Sequence, residues 1–90
     1  MTIETTTVLK NFEGESFKDG EKDLTLRKVI CAIISTTKSP DPLLSYLLTE
    51  RIAKNDEVEL TSEEVVFIKS LVKESTYLPY IQGTILNLLG

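Results

Sequence analysis

Ninety residues leave room for one hydrophobic core and no second domain. A composition that is 41% hydrophobic and 27% charged excludes a disordered chain, and fourteen acidic against ten basic residues, mixed along the sequence to a net charge of −4, exclude the clustered Lys and Arg that grip a phosphate backbone. One cysteine, Cys31, and no histidine exclude an intramolecular disulfide and an imidazole-activated nucleophile.

A chain this short buries only about 60 to 65% of the surface its unfolded form exposes, so cover from another subunit adds stability it otherwise lacks. Met1-Thr2-Ile3-Glu4 has neither the basic nor the apolar region of a signal peptide, and no apolar run approaches the roughly 20 residues of a membrane span. Together with the lone thiol, this places the expected location in a reducing cytoplasm, away from any membrane.

From Ile3 to Phe12 the chain alternates, with Ile3, Thr5, Thr7 and Leu9 on one side and Glu4, Thr6, Val8 and Lys10 on the other, which is strand periodicity. Glu13-Gly14 and Asp19-Gly20 are turn signals, because glycine takes the positive φ of tight turns without strain. Residues 3 to 24 are therefore read as a β-hairpin reversing at Glu13-Gly14, with a brief third strand before Leu24. Thr25 then precedes Leu26, Val29, Ile30, Ile33 and Ile34, one helical face behind a hydroxyl N-cap.

After the polar loop Thr36 to Asp41, Asp41 caps a second helix with Pro42 at its first position, where a missing N–H costs nothing. Leu43, Leu44, Leu47, Leu48 and Ile52 form its predicted buried arc, with Arg51 among them. A polar linker, Lys54 to Glu59, leads to Thr61-Ser62-Glu63-Glu64, a capping box that opens a third helix with Val65, Phe67, Ile68, Leu71 and Val72 inward. A fourth helix runs from near Leu78-Pro79 to Leu89, burying Leu78, Ile81, Ile85, Leu86, Leu88 and Leu89. The predicted architecture is α+β: one domain, residues 1–90, in which an N-terminal β-hairpin (3–24) is followed by a compact bundle of four short helices (25–90), the core joining the first, third and fourth.

The fourth helix carries the main functional signal, since residues 75–90 contain no charged side chain. Its outer face presents Tyr80, Gly83, Thr84 and Asn87, which reads either as a neutral solvated face or as a contact with a partner protein or a second copy of the chain. Gly83 permits close backbone approach, and Tyr80 supplies rigid contact area. Arg51 on an apolar background either snorkels to a structural carboxylate or offers a fork to an anion. Lys69 and Lys73 lie one turn apart on the third helix and read either as a solvated edge or as a pair that holds a phosphate, and Lys69 with Arg51 and Tyr77 defines a candidate anion site. The acidic run Asp56, Glu57, Glu59, Glu63 and Glu64 lacks the glycine and oxygen spacing of a calcium loop, so no metal is expected. No phosphate loop, dinucleotide fingerprint or zinc spacing occurs, which implies no cofactor and no enzyme.

Asn11-Phe12-Glu13-Gly14, Lys18-Asp19-Gly20-Glu21-Lys22-Asp23-Leu24-Thr25-Leu26, Tyr46-Leu47-Leu48 with Arg51-Ile52, and the apolar tail together resemble small uncharacterised proteins of tailed bacteriophages and prophages. The resemblance implies a protein made in a bacterial cytoplasm that acts on a host or phage protein as an inhibitor, regulator or assembly helper. The alternative is a small oligomeric pocket protein that sequesters a nucleotide or other anion through Arg51, Lys69 and Tyr77. Nucleic acid is disfavoured, because no basic and aromatic stripe exists.

Overall fold

Thr25 and the apolar residues behind it behave as their spacing dictates. In a computed structural model describing residues 1–90, Leu26–Thr36 form a helix, α1, whose N-cap hydroxyl accepts the Lys28 N–H at 3.4 Å. Leu26, Val29, Ile30, Ile33 and Ile34 are all buried. Three further helices follow: α2 (Pro42–Lys54), α3 (Ser62–Glu74) and α4 (Pro79–Leu88). Asp41 caps α2 by accepting from Leu44 N at 3.1 Å. The Thr61/Glu64 capping box closes in both directions, at 3.1 Å from Glu64 N to Thr61 Oγ1 and 2.9 Å from Thr61 N to Glu64 Oε1.

The strands are shorter than the threonine alternation predicts. β1 spans only Thr2–Glu4, and its partner is no hairpin neighbour but β4 (Glu57–Glu59), the last of four strands, within the stretch read as a polar linker. The pair is antiparallel with Ile3 opposite Val58, and both side chains are buried while the flanking residues face water. The hairpin ladder itself joins β2 (Lys18–Asp19) to β3 (Lys22–Asp23) across Gly20-Glu21, with Gly20 at φ +68°. The reversal at Glu13-Gly14 is present, closed by a single bridge between Lys10 and Ser16, with Gly14 at φ +84°. The inward side of the alternation survives without a continuous strand, for Ile3, Thr5 and Leu9 are buried.

The core is one cluster of eighteen buried apolar residues drawn from every helix and from β1 and β4. Helix α1 packs on α2 and α3, and α4 packs on α3, so α2 belongs to the core alongside the three helices expected there. Its buried arc nevertheless needs correction. Ser45, Leu48 and Ile52 face inward, whereas Leu43 and Leu47 are exposed. Leu78 and Leu88 are likewise exposed, which narrows the inward face of α4 to Ile81, Ile85 and Leu89 with Leu86 half-buried.

A polar clamp holds the N-terminal segment to the helices. Thr5 is fully buried, and its hydroxyl donates to the Asn55 carbonyl at 2.6 Å while accepting from Arg27 Nη2 at 3.0 Å. Arg27 also reaches Asn55 O at 3.0 Å and Asp56 Oδ1 at 2.7 Å. One guanidinium thus ties α1, β1 and the approach to β4 together.

Candidate functional site

Tyr80, Gly83, Thr84 and Asn87 lie one helical turn after another on α4, and with Pro79 they line an open groove of about 310 Å³. Tyr80 stays half-exposed, yet it is not free. Its ring meets Phe12 edge-on at 6.4 Å between centroids and Phe17 at 6.5 Å. Phe12 sits beside the Gly14 reversal and is 78% exposed, so an apolar ring stands in water with nothing above it. The sequence reading missed it, although an aromatic residue in a turn otherwise made of Asn, Glu and Gly is a legible signal.

Gly83 faces solvent in the middle of α4, and a Cβ placed on it would meet nothing within 4 Å. The Thr84 hydroxyl donates to the Tyr80 carbonyl at 2.8 Å, which leaves its methyl and the Asn87 amide as the outward chemistry of this face. The helix carries no charge along its length.

The three residues proposed for an anion are not brought together. Arg51 is exposed, off the buried arc, and its Nη1 donates to Glu64 Oε2 at 2.9 Å. Lys69 Nζ donates to the Gly90 carbonyl at 2.8 Å, at the far end of α4. Tyr77 instead lines a separate recess with Thr36, Lys38 and Glu74. Arg51 therefore does not pack on the apolar arc, and one of its guanidinium nitrogens bonds a carboxylate that is itself part of a helix cap.

Glu64 shows the electrostatic consequence. The Thr61 backbone N–H, followed by the Arg51 guanidinium, holds its carboxyl below the ordinary glutamate value near 4.5. A lowered folded-state value contributes stability that is present above the unfolded-state value and lost as pH falls through the folded one. Glu64→Gln is accordingly expected to cost on the order of 1 kcal/mol at neutral pH and progressively less as pH falls below the ordinary glutamate range, as read by urea denaturation across an acid series. A gap that stays constant with pH would show that the charge is irrelevant.

The remaining reactive groups are occupied or scattered. Burial pushes the Cys31 thiol up, against the opposing Arg27 charge, and its Sγ lies 3.8 Å from the Thr49 carbonyl. The acidic residues of 56–64 diverge: Asp56 binds Arg27, Glu59 takes the Thr2 hydroxyl at 2.5 Å, and Glu64 completes its cap. No three His, Cys, Asp or Glu side chains converge in a geometry that would hold a metal ion, and no helix is long and apolar enough to cross a membrane. No family model, curated protein or solved structure matches the chain.

Proposed function

We propose that this is a small non-enzymatic binding protein that engages another protein through the outer face of α4. The observation that carries the reading is Gly83. A glycine in a helix interior costs roughly 0.5 to 1 kcal/mol relative to alanine, and nothing in this chain requires it, since the space over its Cα is empty. What a bare backbone at that position serves is close approach from outside.

The surroundings support the same use. Tyr80 is held by Phe12 and Phe17, so little side-chain freedom remains to be lost when a partner covers it. Solvated helices ordinarily carry Lys, Glu or Arg, whereas the centres of protein contacts are depleted of charge and enriched in tyrosine and phenylalanine. The resemblance to phage proteins makes the partner a host or phage protein, and a second copy of the chain is the symmetric version of the same contact. Capture of an anion by Arg51, Lys69 and Tyr77 draws no support from their separate placements.

A photo-reactive side chain installed at Asn87 tests the surface. It is expected to cross-link one protein species, with the same group at exposed Lys22 on β3 giving none. Mass spectrometry of the adduct distinguishes a second copy from a different partner. No adduct at Asn87, or equal adducts at both positions, would overturn the assignment.

A further inference from the structure

The β1–β4 ladder leaves one side of β1 unpaired. Leu60 N donates to Met1 O at 2.6 Å while the Met1 ammonium donates to Leu60 O at 2.9 Å, and at the other end of the ladder Thr5 N donates to Asp56 O at 2.8 Å. Bonded and non-bonded pairs alternate along an antiparallel ladder, so Met1, Ile3 and Thr5 turn their peptide groups toward β4 and the intervening Thr2 and Glu4 turn theirs away. The Glu4 carbonyl is taken by the Thr7 amide at 3.2 Å and the Thr7 hydroxyl at 2.8 Å. The Thr2 N–H, the Thr2 carbonyl and the Glu4 N–H keep no partner within the chain, and both residues are exposed.

A recess of about 270 Å³ runs beside these groups, lined by Thr2, Ile3, Glu4, Thr7, Leu26 and Leu88. Three consecutive residues of β1 line it and none of β4 does, which places it along the free edge rather than over a face of the sheet. Leu26 is buried and Leu88 is 38% exposed, so the side of the recess toward the core is apolar. The solvent side is acidic. Glu4 stands directly opposite Glu57, with Glu59 further along the same face, and no ion pair engages Glu4 or Glu57. Like charges directly opposite each other weaken a ladder, and they attract a cation placed beside them.

We propose that β1 takes up an extended basic segment of another protein as a third strand of this sheet, with an apolar residue seated against Leu26 and Leu88 between two flanking Lys or Arg residues. Successive side chains of a strand point to opposite faces. The added residue beside Ile3 therefore enters the recess, while its neighbours beside Thr2 and Glu4 emerge on the solvent side, where a long cationic side chain reaches Glu4 and, across β1, Glu57. The three open peptide groups supply main-chain hydrogen bonds to any strand, and the alternation of charge and apolar surface selects among strands. The same carboxylates exclude a second copy, whose β1 would bring Glu4 and Glu57 against their own kind. None of Tyr80, Gly83, Thr84 or Asn87 lines the recess, so this edge stands or falls independently of the outer face of α4.

Amide chemical-shift titration by NMR tests this with a capped peptide alternating lysine and valine, against a glutamate–valine counterpart, a lysine–serine peptide, and the lysine–valine peptide with proline at its central valine. The lysine–valine peptide is expected to give saturable shifts centred on residues 2–4 and Leu88, with slowed hydrogen exchange at the Glu4 amide. Glu4→Gln combined with Glu57→Gln is expected to weaken binding about tenfold while unfolding at the same or a higher temperature, since the facing carboxylates are gone. Leu88→Ser, at a partly exposed position, should weaken binding with the fold intact. The proposal fails if the lysine–valine peptide does not saturate, if any of the other three peptides binds as tightly, or if the double substitution leaves affinity unchanged. Shifts at residues 2–4 that follow protein concentration without peptide would also overturn it, because the edge would then be held by a second copy.

Discussion

Ile30→Ala is expected to cost about 3 kcal/mol, the largest loss of any substitution considered, because the side chain is fully buried on the helix that packs against both α2 and α3. Removing three carbons there forfeits their transfer free energy and leaves a cavity that the packed neighbours only partly close. A domain of this size has a total stability of roughly 5 to 13 kcal/mol, so the loss is a large share of the whole. Leu43→Ala provides the contrast. Leucine 43 is 66% exposed, and its truncation is expected to change stability by less than about 0.5 kcal/mol. Urea denaturation of both variants checks the pair, and equal losses would mean that α2 turns a different face to the core.

Thr5→Val is expected to cost about 2 kcal/mol although the replacement has nearly the same shape. Valine keeps the packing of a fully buried position but removes the donor to Asn55 O and the acceptor for Arg27 Nη2. Arg27 Nε is already buried without a partner, so the guanidinium has little remaining compensation on that side. The two residues act as a unit. A double-mutant cycle with Arg27→Met is therefore expected to give a coupling of about 1 kcal/mol or more, measured from the same denaturation curves. Strict additivity of the two single losses would show that the clamp does not hold β1 through this contact.

Legibility in the sequence followed the range of the interaction. The α1 stripe, the Asp41-Pro42 start and the Thr61/Glu64 box depend on residues within a turn or two of one another, and each is where the spacing puts it. The β1–β4 pair joins residues more than fifty positions apart through three residues a side, too short a run for periodicity to register. Helix α2 was misread for a different reason. Its leucines form one broad arc, but the buried face is centred past the edge of that arc at Leu48 and Ile52, so the polar Ser45 takes a buried place that hydropathy would assign to Leu43 or Leu47. Arg51 was placed on the apolar arc by the same error, and its carboxylate partner comes from the next helix. On α4, the uncharged outer face is legible residue by residue, and Phe12 stands out in its polar turn, but that the two form one surface is not legible. Phe12 reaches Tyr80 only through the tertiary fold.

The claim that α4 keeps its outer face for another protein is tested most directly by Gly83→Lys, with stability and association measured on the same preparation. A lysine Cβ meets nothing within 4 Å, and lysine exceeds glycine in helix propensity by roughly 0.5 to 1 kcal/mol. The variant is therefore predicted to unfold at or above the wild-type urea midpoint while losing the Asn87 cross-link and any dimer seen by light scattering. A variant that folds as well as the wild type and still cross-links and associates like it would contradict the account.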